Sequence, residues 1–287
     1  MAKLTFLGTG TSSGVPMLGC GCDVCRSTDP KDKRLRASAL IEYEGLTVAV
    51  DCGPDFRQQA LRSGINHLDA ILITHFHMDH VGGLDDTRAL NLCEGHPINI
   101  YCEKYVEDAL RQSYPYAFTE VRYPGAPEWR IHRIDPSKPF EVVSNVGDEK
   151  LQWERGFGYC HFPADTSIVP ARAQVVPIQA WHLKDRSLSV LGYRFGPIAY
   201  LTDVNLIDDS EIEKLRGVKV VTIGCVKEGT HRSHFSLAEC LDFFGKVGAE
   251  HSYITHLSHL LPAHEEFAKR LPEGVEPAWD GLSIEVE

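Results

Sequence analysis

No stretch of this chain comes near the roughly eighteen consecutive apolar residues that a membrane-spanning helix needs. Its first residues, Met1-Ala2-Lys3-Leu4-Thr5-Phe6-Leu7-Gly8, lack the hydrophobic region and small-residue cleavage site of a secretory leader. The default expectation is a cytoplasmic protein with no membrane partner. Excess positive charge is missing as well: 29 Lys and Arg stand against 40 Asp and Glu, a formal charge of −11. A broad basic face for nucleic acid is therefore not expected, and neither is a stable nucleic-acid complex. A small phosphorylated substrate is not excluded, because metal ions can supply positive charge locally. A disulfide framework is also absent, since nine cysteines among 287 residues do not make a small secreted scaffold. Cys52, Cys93, Cys102, Cys160, Cys225 and Cys240 are scattered singly among apolar neighbours and read as reduced core residues. There is no internal repeat and no low-complexity linker. The 287 residues suffice to bury a large core, and we read 1–287 as a single domain.

What is present is a mixture of short strands and helices. Strand-like runs occur at 4–7, 37–43, 46–50, 70–74 and 99–101, then at 175–178, 191–195, 198–202, 218–223 and 253–255. Helical periodicity is clearest at 54–62, 106–112, 237–246 and 263–270. Several strands follow one another directly, as across Glu44-Gly45, which favours a layered α/β sandwich over a doubly wound βαβ sheet. One stretch, 114–162, breaks the pattern: it is rich in Pro and aromatic residues, among them Tyr114, Trp129, Phe140, Trp153, Phe157, Tyr159 and Phe162. Such a long connection is functional or has structure of its own. We read it as an insertion that covers a sheet edge, builds a homodimer contact, or forms a lid over the active site.

The most informative segment is His75-x-His77-x-Asp79-His80, which follows the apolar run 70–74 and precedes Gly82-Gly83. Four potential ligands sit where a strand ends, and the glycines suit a tight turn beside an ion. Imidazole with carboxylate suits Zn²⁺, Mn²⁺ or Fe, and four donors exceed what one open catalytic site needs. Two neighbouring metals and a hydrolase are the expectation. Further donors close later apolar runs: His182 after 175–181, Asp203 after 198–202, and His256 after 253–255. A carboxylate suits a bridging position because each of its oxygens can bind one ion.

The His75–His80 segment resembles the signature of the metallo-β-lactamase superfamily, and the order of the later donors is similar to that superfamily's later motifs. The resemblance implies an αβ/βα four-layer sandwich with a dinuclear site at one edge. It assigns His75, His77 and His182 to one metal, Asp79, His80 and His256 to the other, and Asp203 to the bridge. Two ions about 3.5–4 Å apart would hold a bridging hydroxide as nucleophile.

Cys20-Gly21-Cys22-Asp23-Val24-Cys25 presents three thiolates that can hold a structural Zn²⁺ if a fourth ligand arrives from elsewhere. His259, in Thr255-His256-Leu257-Ser258-His259, is the natural candidate. Together with Leu7-Gly8-Thr9-Gly10, Gly14-Val15-Pro16 and Leu201-Thr202-Asp203, these features resemble the phosphoribosyl cyclic phosphodiesterase branch of the superfamily, known from phosphonate catabolism. That resemblance runs nearly end to end, except over 114–162. It implies two Mn²⁺ (or Zn²⁺) ions at the catalytic site, a separate structural Zn²⁺, and hydrolysis of a small cyclic phosphodiester of ribose or nucleotide type. In that branch the histidine at the position of His234 faces the substrate phosphate. His234 is thus the candidate general acid, with an ordinary pKa near 6.5, and His231 is its competitor.

Rival readings are a tRNA 3′-end endonuclease, a pyrroloquinoline quinone biosynthesis protein and a non-catalytic metal-binding module. The 114–162 stretch lacks the basic excess of an RNA-gripping arm, and the complete set of His and Asp donors argues for catalysis. Thioester or lactam hydrolysis is a further possibility, since a bridging hydroxide can also attack a carbonyl.

Overall fold

The computed structural model describes residues 1–121, 123, 125–145 and 170–287. Two mixed sheets pack face to face. The first contains β1 (Ala2–Gly8), β2 (Ser38–Tyr43), β3 (Leu46–Val50), β4 (Ala70–Leu72), β5 (Ile98–Cys102), β6 (Trp129–Arg133) and β15 (Ser283–Val286), in the order β15-β1-β2-β3-β4-β5-β6. The second contains β8 (Arg172–Trp181), β9 (Ser189–Phe195), β10 (Ile198–Tyr200), β11 (Leu206–Ile207), β12 (Val220–Gly224), β13 (His251–Thr255) and β14 (Val275–Pro277), in the order β11-β8-β9-β10-β12-β13-β14; β7 (Phe140–Val143) pairs with β8. The helices are α1 (Asp23–Arg26), α2 (Phe56–Ser63), α3 (Met78–Val81), α4 (Arg88–Glu94), α5 (Lys104–Ser113), α6 (Asp209–Glu213), α7 (Leu237–Val247) and α8 (His264–Arg270).

Strand alternation builds the layers. Leu4 and Phe6 of β1, Val48 and Val50 of β3, and Ile198 and Tyr200 of β10 point between the sheets into one buried cluster. The opposite faces carry Ala49 and Ile71, packed with Phe56, Val106 and Leu110 under α2 and α5. On the other sheet Ala199, Val221 and Ile223 pack with Ile212, Phe243 and Phe267 under α6, α7 and α8. The architecture is the αβ/βα sandwich that the sequence resemblance implies. Among the described residues no helix is long and apolar enough to cross a membrane.

The described part of 114–162 supplies strand edges. β6 runs parallel to β5 at one edge of its sheet, and β7 pairs antiparallel with β8. Tyr114 and Trp129 are buried, and Trp129 Nε1 donates to Thr87 Oγ1 at 2.9 Å. Trp153, Phe157, Tyr159 and Phe162 lie outside the described residues, so the lid reading rests on sequence alone. Cys52, Cys102, Cys225 and Cys240 are buried free thiols as expected. Cys93 departs from that expectation: it is disulfide-bonded, and its half-buried place near the end of α4 is not sealed in the core. Cys160 lies outside the described residues.

A second layer of order comes from charge. His67 sits between Asp69 Oδ1 (3.1 Å) and Glu94 Oε2 (2.7 Å). Burial alone would lower its pKa, but the two carboxylates outweigh burial and carry it up to about 10. The raised value makes the protonated form a stabiliser, present in full below the unfolded value of about 6.5 and lost as pH rises through about 10. We therefore expect the difference in melting temperature between wild type and His67→Asn to be largest near pH 6 and to close by pH 10. A gap independent of pH would contradict the ion-pair account.

Candidate active site

Chain order delivers the polar residues to one edge of the sandwich, because each follows a buried strand. After β4, Thr74 and His75 are fully buried, His77 caps α3, and Asp79 and His80 lie on that helical turn. The sequence pattern places all four donors where a strand ends; there a short helix turns Asp79 and His80 back towards the strand ends. Gly82 and Gly83 have ordinary negative φ values, so they are not needed for a left-handed turn. Gly83 is needed for close approach, since a Cβ there would collide with the Gly53 carbonyl.

The donors converge from both sheets. His75 Nε2 and His77 Nδ1 lie 2.9 Å apart, with the His182 ring 5.7 Å from that of His75 and 5.0 Å from that of His77. Asp79, His80 and His256 form a second group whose donor atoms all lie within 4.8 Å of one another. Asp203 stands between the groups. Its Oδ2 lies 3.2 Å from both His80 Nε2 and His256 Nε2, while its Oδ1 faces His234 Nδ1 at 3.6 Å and His182 Nδ1 at 3.9 Å. All seven positions expected from the sequence are thus brought together.

The outer contacts choose which nitrogens face inward. The backbone carbonyl of Asp203 lies 2.9 Å from His182 Nδ1, which leaves Nε2 for the centre. His80 Nδ1 lies 2.7 Å from Asp51 Oδ2, and a carboxylate accepts only, so His80 also presents Nε2. Thr74 donates to Asp51 through both its N–H (2.8 Å) and its hydroxyl (2.9 Å), and that hydroxyl lies 2.9 Å from His75 Nδ1. One buried carboxylate therefore orients two histidines. Sequence reasoning missed Asp51, although it closes the apolar run 46–50 just as Asp203 closes 198–202. We expect Asp51→Asn to cost about 10–100-fold in metal affinity or turnover. Metal titration followed by calorimetry checks this, and unchanged affinity with unchanged rate would remove Asp51 from the site.

The backbone is strained where the donors meet. Asp51, Asp203 and His256 have φ values of 65°, 57° and 55°, the left-handed region that L side chains rarely adopt. Each costs about 1–3 kcal/mol, a cost that surrounding structure must offset and that collects at functional sites. The electrostatics are equally one-sided. Burial alone would raise Asp203 and lower His80. Instead His256 and His80 hold Asp203 well below the carboxylate range, and Asp203 with Asp51 holds His80 well above its usual value. His80 Nε2 and both ring nitrogens of His256 are buried without a hydrogen-bond partner among the described residues. Divalent cations fit such a set: imidazole nitrogens and carboxylates converge, and a cation would complete the orphaned nitrogens.

His234 lies beside this group. Ser236 caps α7 in a capping box with Glu239, which fixes the entry of the chain into the helix two residues after His234. Asn205 Nδ2 donates to the carbonyls of His231 (3.1 Å) and His234 (3.2 Å), a pin that the sequence did not reveal. His234 is buried with Nδ1 turned to Asp203, whereas His231 is half-buried. The expected near-neutral pKa of His234 is corrected: burial pushes it down to about 3, against the opposing pull of Asp203. These residues floor an open cleft of about 460 Å³ walled by Thr11, Ser12, Ser13, Ser258 and Leu260.

A second cluster is reached three residues beyond His256, at His259. Cys20, Cys22, Cys25 and His259 bring their donor atoms within 4.8 Å of one another, with His259 Nδ1 3.4 Å from Cys20 Sγ and 3.5 Å from Cys22 Sγ. A tetrahedral zinc with thiolate and imidazole ligands has donor–donor edges of about 3.5–3.8 Å, so the spacing fits. The Cys25 N–H, then His259, lowers the Cys22 thiol to about 6, while burial pushes Cys25 up to about 11.

Residues 47–257 match the family described as the beta-lactamase superfamily domain. A crystal structure of a diphosphatase from the PhnP family is 36% identical with a TM-score of 0.81, covering 100% of this chain and 98% of that one. Zn²⁺-bound PqqB from Methylobacterium extorquens is 16% identical with a TM-score of 0.71 over 99% of this chain and all of that one, a likeness of fold. Among curated proteins, an octanoyltransferase of Porphyromonas gingivalis is 38% identical over 99% of this chain, which spans only about half (52%) of that relative's length.

Proposed function

Because the chain belongs to the beta-lactamase superfamily and, within it, to the PhnP family, it is a metal-dependent hydrolase, and we propose that it cleaves small cyclic phosphodiesters of ribose or nucleotide type. The observation that carries this reading is the straddling carboxylate of Asp203, one oxygen towards His80 and His256 and the other towards His182 and His234. In this proposal His75, His77 and His182 would hold one divalent ion, Asp79, His80 and His256 would hold the other, and Asp203 would serve both. Mn²⁺ or Zn²⁺ bound there supplies charge neutralisation at phosphorus and a water activated for attack. The chain's own residues do the rest. Asp51 and Thr74 keep His75 and His80 in the tautomer that points inward. Asn205 holds the loop from which the N–H of neutral His234 reaches the departing oxygen, the proton it gives being replaced from the attacking water. Water adds to phosphorus, one ring P–O bond breaks, and the ring opens to a single product that carries both the phosphomonoester and the freed hydroxyl.

The general-acid role makes a specific demand. His234→Ala should lower kcat by about 10²–10⁴-fold on a diester with an alkoxide leaving group. The loss should be far smaller with p-nitrophenolate, which departs without a proton. Equal losses on both leaving groups would remove the acid role, and the same pattern in His231→Ala instead would transfer it.

The substrate class is tested by reconstituting the protein with Mn²⁺ or Zn²⁺ and comparing ribose cyclic phosphodiesters, a diphosphate ester, bis(p-nitrophenyl) phosphate and an octanoyl thioester. We expect the cyclic diesters to show the highest kcat/KM. The PhnP-family relative is described as a diphosphatase, so a preference for the diphosphate ester would move the assignment to the anhydride. A preference for the thioester would follow the octanoyltransferase relative and overturn the phosphorus reading.

A further inference from the structure

We propose that Thr11, Ser12 and Leu260 form a subsite for the unreactive, ribose-like part of the substrate. The inference rests on the phosphodiester reading and deepens it. The three residues wall the same cleft whose floor holds Asp79, Asp203 and His234.

The backbone of this wall is anchored, and two of its hydroxyls are not tied to the protein. Thr11 N–H donates to the Leu257 carbonyl at 3.1 Å, and Gly14 N–H donates to the Thr11 carbonyl at 2.8 Å. Arg36 Nε donates to the Ser12 carbonyl at 2.8 Å and is itself held by Asp55 at 3.0 Å. Gly8 gives the lead-in its seat, because a Cβ there would collide with the Arg36 carbonyl. Yet the side-chain hydroxyls of Thr11 and Ser12 make no hydrogen bond among the described residues, whereas Ser13 Oγ is engaged by the Gly14 carbonyl at 3.3 Å. A loop with an anchored backbone, whose hydroxyls are not tied to the protein, loses little backbone entropy when a ligand takes them up.

Leu260 supplies the other half. It is 64% exposed on the cleft wall, and its N–H is held by Ser258 Oγ at 3.1 Å. Its neighbour His259 belongs to the cysteine cluster, which ties this wall to a second anchored point. A furanose ring presents hydroxyls at its edge and C–H groups on its face. Neutral hydroxyls opposite one exposed leucine match that pattern, as small-molecule sites combine apolar contact with a few placed polar groups. Since the two hydroxyls bond nothing in the protein, their removal should leave the fold unaffected.

The test compares a nucleoside 2′,3′-cyclic phosphate with methyl p-nitrophenyl phosphate, which carries no sugar. In the Thr11→Val/Ser12→Ala double variant, KM for the ribose diester should rise about tenfold more than KM for the sugar-free diester, with little change in the ratio of kcat values. Thr11→Ser should behave as wild type, because it keeps the hydroxyl. Leu260→Asn should shift the same ratio in the same direction. Calorimetric Kd values for the corresponding nucleoside monophosphate should weaken in parallel. Equal KM changes on both diesters, or none, would overturn the subsite while leaving the phosphodiester reading intact. A wild-type protein that hydrolyses neither diester would remove that reading and the subsite with it.

Discussion

Replacing Asp203 by Asn leaves a folded chain whose hydrolytic rate is lower by about a thousandfold or more. The residue is buried, held in a left-handed conformation, and turned so that each oxygen meets a different set of histidines. Asparagine keeps the shape but removes the charge and one acceptor oxygen, so the two donor sets lose their common member. Charge placed in a dry site is worth far more than in water, and single electrostatic contacts of this kind account for about 10²–10³ in rate. Asp79→Ala should fall to a similar floor, because Asp79 Oδ2 lies 3.3 Å from His80 Nε2 and 3.7 Å from His256 Nε2. Circular dichroism and melting curves establish folding, inductively coupled plasma analysis counts the metal, and turnover of a cyclic diester gives the rate. A near-normal rate in both variants would end the dinuclear account.

Cys22→Ser should release one zinc per chain and lower the melting temperature by about 5 °C. Structural zinc contributes folding free energy directly, and a few kcal/mol spread over a chain of this size shifts the midpoint by several degrees. The effect should reach the active site, because His256 and His259 are separated only by Leu257 and Ser258. Leu257 N–H donates to the Thr9 carbonyl at 2.8 Å, and its own carbonyl accepts from Thr11. Loss of the cluster therefore loosens both the His256 strand end and the Thr11 wall, and KM should rise along with the fall in stability. A Cys22→Ser protein that retains all its zinc and melts as wild type would show the cluster to be three thiols and an incidental histidine.

Much of this was legible in the sequence because it is local. The His75–His80 spacing and the Cys20–Cys25 spacing each fall within one turn of chain, so the donors are neighbours whatever the fold. Long, strongly patterned segments were equally readable: 46–50 is β3, and 237–246 is nearly all of α7. The elements that escaped depend on distant partners. β15 is four residues that pair with β1 across the whole chain, and β6 alternates Trp and Ile with Arg and His at a sheet edge where only β5 shows that it is a strand. The turn of α3 is too short to show a period.

The site divides in the same way. Residue type and order determined that His182, Asp203 and His256 close apolar strands. Only the packing of one sheet on the other decided that these three would meet His75–His80, since β4 belongs to one sheet and β8, β10 and β13 to the other. Tertiary structure alone also selected the ring nitrogens, through Asp51, Thr74 and the Asp203 carbonyl, and imposed the left-handed φ at Asp51, Asp203 and His256. The physical reason is one of range. A ligand spacing is set by covalent geometry over a few residues, whereas a tautomer, a strained dihedral and a carboxylate between two donor sets exist only when segments far apart in sequence are held against each other in a dry interior.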